Sequence, residues 1–147
     1  MNDTNRTWAD ELADEHALLG SYLEQLKDLI SAPDDTTAMA LSALLDEVQG
    51  RCQAHFVFEE RDGYMVEVRE RQPNLSGSLD ALQAEHPTLI SELAAIRDAV
   101  QAEPKLQQLD QEIAPRIRAW LASMRSHEHR ETRIVQEAFN TDIGVGD

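Results

Sequence analysis

The chain reads as an all-α protein, an antiparallel up-down-up-down bundle of four helices, and three observations predict that fold class. Apolar residues recur at intervals of three and four, which is the helical period, rather than at two. Ala, Leu, Glu, Gln and Arg dominate while only 6 of the 147 residues are glycine, a composition that favours helix wherever packing does not decide. Prolines and turn residues cluster between long periodic stretches, so connections are short, and short connections set successive helices antiparallel. The length suits a single domain, 1–147, with a full core.

The first helix is expected at about 8–31. Thr7 followed by Asp10 resembles a capping box, and Leu12, Leu19, Leu23, Leu26 and Ile30 form one stripe. Ser31 through Asp35, with Pro33 among them, ends it. A long second helix, about 36–71, carries Leu41, Leu44, Leu45, Val48, Cys52 and Val66 and stops at Gln72-Pro73-Asn74. The third, about 78–101, follows Ser76-Gly77-Ser78 and carries Leu79, Leu82, Leu89, Ile90, Leu93, Ile96 and Val100. The fourth, about 104–139, carries Ile113, Ile117, Trp120, Leu121, Met124, Ile134 and Val135, then frays from Asn140. Pro87 should bend the third helix after His86. Pro115 either kinks the fourth or marks its true start after a turn or short helix at 105–114, and the second reading fits better.

With 13 Lys and Arg against 28 Asp and Glu, the net charge is −15. Nucleic acids and anionic membranes both need a basic face, so neither is an expected partner. The single cysteine, Cys52, rules out an internal disulfide and a CxxC zinc site, and fits a reducing compartment. The start of the chain has no apolar signal-like segment, and its longest uncharged stretch, Thr36 to Leu45, is far short of the roughly 18 apolar residues of a membrane span. A cytoplasmic protein is expected.

The five histidines carry the chemistry. Neighbours at three, four and seven residues place His16, His55, His86 and His127 on the apolar stripes, one per helix, while His129 sits among Ala122, Arg125, Thr132 and Arg133 and faces solvent. With roughly three of seven helical positions facing a core, four such placements by accident have a chance of about 3%. Glu59 follows His55 at i+4, and Glu131 follows His127 at i+4, so two HxxxE pairs also point inward. Successive inward histidines are 39, 31 and 41 residues apart. Hairpin geometry then lets all four meet at one level, nearer the connection between the second and third helices.

Carboxylates buried in a dry core need cationic partners, because an isolated ionised one costs several kcal/mol. Metal ions meet that need. Four imidazoles and two carboxylates are too many donors for one tetrahedral zinc and too rich in nitrogen for magnesium or calcium; a pair of iron ions with an oxo or hydroxo bridge suits them, with manganese and zinc as the alternatives. The single Cys52 reads as a small buried hydrophobe, Tyr22, Tyr64 and Trp120 as core or as a shield for the centre, and Glu60 and Glu85 as surface acids or as partners of imidazole N–H groups.

Four segments, Glu15-His16-Ala17-Leu18-Leu19, His55-Phe56-Val57-Phe58-Glu59-Glu60, Glu85-His86-Pro87-Thr88-Leu89 and His127 through Glu131, together resemble the hemerythrin-like family of HHE cation-binding domains. The tail from Asn140 to Gly144 is also similar to that of such domains. The resemblance covers nearly the whole chain and implies a four-helix bundle around a non-haem di-iron centre. It makes His16, His55, His86 and His127 terminal ligands and Glu59 and Glu131 bridging carboxylates. Two departures stand out. Oxygen carriers of the family have HxxxH on the third helix, where this chain has Ile90, and HxxxxD on the fourth, where it has Glu131 at i+4 and Thr132 at i+5. The pattern therefore resembles domains that sense iron or oxygen, or respond to nitrosative and oxidative stress, more than simple carriers. A vacant position on one iron would take O2, NO or peroxide. Such a site serves a sensor, or a di-iron enzyme consuming peroxide or nitric oxide; an iron buffer is the third possibility.

The outward histidine supplies a control. His127→Ala should strip most bound metal from the purified protein, whereas His129→Ala, two residues away, should change metal content only slightly by elemental analysis. Equal losses would contradict the face assignment.

Overall fold

Four apolar stripes can be buried together only by closing the helices around a common axis, and the protein does so as an all-α four-helix bundle. The computed structural model describes residues 8–139. The Thr7 cap and the tail from Asn140 lie outside them. In chain order the elements are α1 (Trp8–Leu29), α2 (Thr37–Val57), a π-helical turn (Phe58–Asp62), α3 (Tyr64–Arg71), a 3-10 turn (Pro73–Leu75), α4 (Ser76–Gln101), α5 (Leu106–Gln108), a second π-helical turn (Leu109–Ile113) and α6 (Ala114–Phe139). Helix α1 packs on α2 and α6, and α4 packs on the same two.

The stripes predicted from periodicity are buried almost residue for residue, including Leu12, Leu23, Leu45, Val48, Leu79, Leu93, Ile117 and Met124. They form two separate apolar blocks. One gathers Leu19 to Ile30, Leu41 to Phe56, Leu89 to Val100 and Leu109 to Met124; the other gathers Leu12, Tyr64, Met65, Val68, Leu75, Leu79, Leu82, Ile134, Val135 and Ala138. Helices α1, α4 and α6 cross from one block to the other at their inward histidines, while α2 ends just past His55 and α3 carries the chain into the second block. The polar residues therefore occupy a single layer between two greasy ones, nearer the end where residues 72–75 make the connection. Trp120, buried in the first block, donates its ring N–H to the Leu89 carbonyl at 2.9 Å and ties α6 to α4.

The second helix is not continuous. Expected over 36–71, it loosens into the π-helical turn Phe58–Asp62 and breaks at Gly63, whose backbone is extended (φ −100°, ψ −161°). A methyl carbon on Gly63 would lie 2.4 Å from the Phe58 carbonyl oxygen and 2.7 Å from the Glu59 Cα, so only glycine permits this approach. The wider turn and the break shift the helical phase. Val66, assigned above to the inward stripe, is 49% exposed, while Tyr64, Met65 and Val68 face inward instead.

Proline is accommodated twice. Pro87 lies inside α4 without ending it. Pro115 is the second residue of α6, where a missing N–H costs nothing, and the π-helical turn before it brings the Ala114 N–H to the Leu109 carbonyl. This matches the reading of Pro115 as marking the start of the fourth helix proper. At the first connection the Asp34 carboxylate accepts bonds from the Thr36 N–H and hydroxyl at 2.8 and 2.7 Å, fixing the turn into α2.

Gly63→Ala should destabilise the metal-free protein by about 3 kcal/mol in chemical denaturation, since the added carbon meets backbone rather than a yielding side chain. Gly50→Ala in α2, where nothing lies within 4 Å, should be neutral or stabilise by up to about 1 kcal/mol. Equal stabilities for the two variants would mean that the chain can relax around Gly63.

Candidate metal centre

The polar layer contains the six residues expected from the sequence. His55, His86 and His127 are buried, His16 is half-buried at the rim, and Glu59 and Glu131 have no exposure at all. Outward His129 is exposed, as its neighbours predict. On α2 and α6 the i+4 spacing stacks each carboxylate above its imidazole, His55 Nε2 lying 2.8 Å from Glu59 Oε2 and His127 Nε2 3.2 Å from Glu131 Oε2. The other two helices add one ring each. His16 Nε2 is 3.1 Å from Glu131 Oε1, and His86 Nε2 is 3.2 Å from Glu59 Oε1.

These donors fall into two groups that share both carboxylates. His16, His55, Glu59 and Glu131 offer ligand atoms within 4.8 Å of one another, and so do Glu59, His86, His127 and Glu131. Each carboxylate thus faces two separate positions, one between α1 and α2 and the other between α4 and α6.

The protein alone does not satisfy these atoms. His55 Nε2, His86 Nε2, His127 Nε2 and both oxygens of Glu59 are buried without a hydrogen-bond partner. Their short separations bring them face to face in directions that form no hydrogen bond. Buried polar groups are rarely left so, and the donor set, imidazole nitrogens and carboxylate oxygens converging on a common space, is what a transition-metal cation requires. The residues fit a metal.

A surrounding set of acids fixes which ring nitrogen points inward. The Nδ1–H of His127 donates to Glu85 Oε1 at 2.8 Å, and that carboxylate is in turn forked by Arg130, whose Nη2 lies 2.9 Å from Oε1. The His86 Nδ1–H donates to Glu60, and the His55 Nδ1–H to Glu15 at 3.5 Å. Each bond leaves Nε2 to face the shared carboxylates, the arrangement by which proteins orient metal-binding imidazoles. Glu60 and Glu85 are therefore partners of imidazole N–H groups rather than free surface acids. Tyr64 donates its hydroxyl to Glu131 Oε2 at 3.2 Å, so it lines the centre, whereas Trp120 belongs to the core and Tyr22 lies under the Arg51 guanidinium.

Several contributors were not assigned from the sequence. Phe56 stacks flat on His86, with centroids 3.9 Å apart and planes 6° from parallel, and meets His127 edge-on. Glu15 acts through His55. Tyr64 was unassigned between core and shield because its phase depends on the break at Gly63. Ile90, in the place of a family histidine, is half-buried against the first apolar block.

Electrostatics in the metal-free state follow from this crowding. Burial, then the neighbouring Glu131, pushes the Glu59 carboxyl well above the usual range. Burial would also raise Glu131, but its close neighbours Glu59, His127, His16 and His86 outweigh it and hold this carboxyl well down. Burial disfavours the charged form of His86, yet Glu131, Glu59 and Glu60 overcome that and raise it to about 9. His127 moves up for the same reason, against its burial, through Glu131 and Glu85. Cys52, one turn before His55, is pushed up to about 12 by burial and stays an inert thiol.

Fold and layer together define a class: a four-helix bundle whose interior presents two overlapping His2Glu2 sets built to hold cations. The hemerythrin HHE cation binding domain family matches residues 8–139, and the chain belongs to that family. Comparison with curated proteins and with solved structures yields no match. Membership and geometry agree that the protein binds metal cations through a His and Glu site. Among the described residues no helix is long and apolar enough to cross a membrane.

Metal removal should be felt as lost stability, since ions that bind only the folded bundle stabilise it by mass action. Chelation should lower the melting temperature by many degrees. His86, raised to about 9 in the metal-free fold, contributes stability that is fully present below its unfolded value near 6.5 and is lost as pH rises toward 9. The chelated protein should accordingly melt progressively lower from about pH 6.5 to 9, while the metal-loaded protein, whose imidazoles hold no such proton, should not show that decline. Thermal scans by circular dichroism across this range check both outcomes.

Proposed function

We propose that the protein carries a non-haem di-iron centre that binds or senses O2, NO or peroxide. The observation that carries this reading is the sharing of Glu59 and Glu131 between two histidine pairs: two ions held side by side need bridging carboxylates, and one ion does not. Under this reading His16 and His55 hold one iron, His86 and His127 the other, and both glutamates span the pair. Iron bound there would supply reversible binding or redox chemistry toward small oxygen- and nitrogen-containing molecules.

The chain's own residues set how such molecules arrive. On the α4/α6 side, Phe56 covers His86, and the Glu60 and Glu85 carboxylates clasp the two rings. A surface cavity of about 510 Å3 between α4 and α6 has Glu85 and Arg130 in its lining but neither His86 nor His127, whereas on the α1/α2 and α1/α6 sides crevices reach the rings themselves. A crevice of about 230 Å3 lined by Glu15, Leu18, Arg51, Ala54 and Phe58 reaches His55, and one of about 200 Å3 lined by Arg125, Glu128, His129 and Thr132 reaches His16. Small molecules enter at the His16 and His55 half. With Ile90 apolar and no third histidine in either group, the donor set leaves room for them.

A second reading, a di-iron enzyme consuming peroxide or nitric oxide, is favoured by one feature. The Tyr64 hydroxyl donates to Glu131 Oε2 from inside the protein, so a hydrogen-bond donor that burial and the nearby carboxylates keep protonated sits beside a carboxylate shared by both positions. Turnover separates the readings: a sensor binds NO or peroxide once, and an enzyme consumes many equivalents per chain.

Protein purified without oxygen should hold about two iron ions per chain, and its visible spectrum should change on exposure to O2 and on addition of NO. Reconstituted protein that takes one zinc and refuses iron would overturn the reading. So would two irons whose spectrum ignores every small ligand.

A further inference from the structure

Glu128 lies at the polar layer but belongs neither to the six-residue set nor to the acids Glu15, Glu60 and Glu85 that hold imidazole N–H groups. It lies on α6 between His127 and His129, three residues before Glu131 and so on a neighbouring part of the same face. Its side chain is 14% exposed, and its Oε2 lies 3.9 Å from His16 Nε2. That oxygen is buried without a hydrogen-bond partner. Among the described residues no arginine or lysine pairs with it: Arg125, which lines the same crevice, pairs with Glu24 on α1 at 3.3 Å instead. A carboxylate held like this is costly unless a cation answers it.

We infer that Glu128 is a further metal ligand, belonging to the ion of the His16 and His55 half alone. This rests on the two-ion reading above. Nitrogen and oxygen donors bonded at about 2.0–2.2 Å to one ion lie roughly 3 to 4.3 Å apart; the 3.9 Å between Glu128 Oε2 and His16 Nε2 falls within that span, while Glu128 stands outside the four-donor group itself, so ligation would draw its carboxylate inward from the rim. The α4/α6 half has no equivalent. There Glu85 and Glu60 face the Nδ1 side of His127 and His86, turned away from the shared carboxylates. Glu128 therefore makes the two positions unequal: one ion sees two imidazoles and three carboxylates, the other two imidazoles and two. The richer set lies at the half reached by the crevices. Its extra negative donor favours the more highly charged or more oxygen-loving ion, and a carboxylate attached through one oxygen at the rim can swing aside when a small molecule enters.

Stepwise titration of the metal-free protein with Co(II), followed by visible absorption and calorimetry, tests this without reference to any activity. Wild-type protein should take up two ions per chain. Glu128→Gln keeps the shape and removes the charge, and it should weaken one of the two binding steps at least tenfold while leaving the other within about twofold. Glu137→Gln, which removes the same charge from an exposed position on α6, should leave both steps unchanged. Glu128→Asp should lie between wild type and Gln. Metal-free Glu128→Gln should remain helical and melt no lower than metal-free wild type, since it loses no partner. Two unchanged binding steps in Glu128→Gln would overturn the assignment, as would equal weakening of both steps or a variant that unfolds without metal, which would make the residue structural. Wild-type protein that binds fewer than two ions would instead overturn the di-iron reading itself.

Discussion

Two carboxylates in a dry layer set the terms for everything around them. Glu59 and Glu131 have no solvent exposure, and a buried carboxylate is tolerated only where cations or several hydrogen bonds answer it. Four imidazoles, a phenol and the bundle's own axis are arranged about that need. The apolar blocks above and below fix the helices in register, so rings from four separate helices reach the same pair of acids. Without metal the answer is partial: Glu131 is held by its neighbours, whereas Glu59 is driven toward its neutral form. Cations complete it, displacing protons from imidazole and carboxyl, which couples folding, pH and metal occupancy in one equilibrium.

The layer is lopsided, and the lopsidedness follows from which helix faces are packed. Helices α4 and α6 are joined by the Trp120 bond to Leu89 and by the fork of Arg130 on Glu85. Phe56 fills the space beside them. Helix α1 contributes only His16 to the layer's donors and leaves that ring half-buried. An enclosed side and a side reached by crevices result from ordinary packing, and the proposed centre, which would hold metal while admitting a small molecule, needs one of each.

Much of this was legible in the sequence because the signal was periodic. Stripes at three and four identified the helices, and the same spacing placed His16, His55, His86 and His127 inward and His129 outward. It failed where the helical phase itself changes. Periodicity carried straight through 58–63 puts Val66 in the core, yet the wide turn and the Gly63 break rotate the next helix and bring in Tyr64. No count of intervals finds that break, since its cause is the approach of Gly63 to the Phe58 and Glu59 backbone. Glu60, Glu85 and Glu15 were visible as neighbours of histidines, but whether an acid beside a ligand bonds its ring depends on side-chain direction across helices. Glu128 was concealed differently: its i,i+3 spacing to Glu131 is plain, but a sequence of 28 acids makes any one of them look like solvated surface.

That acidity has a consequence for the chemistry proposed here. Acids far outnumber bases in this chain, and several lie close around the imidazoles, with Arg130, Arg125 and Arg51 as nearby counterweights. Such a field concentrates cations at the crevices and repels anions. Metal uptake is aided, and under the di-iron reading small molecules would be selected by charge before they are selected by shape. On that reading neutral O2, NO and hydrogen peroxide would pass, and small anions of similar size would enter against the field, more readily as salt screens it. The composition that first argued against nucleic acid and membrane partners thus serves, at the level of the site, to favour the partners the di-iron reading requires.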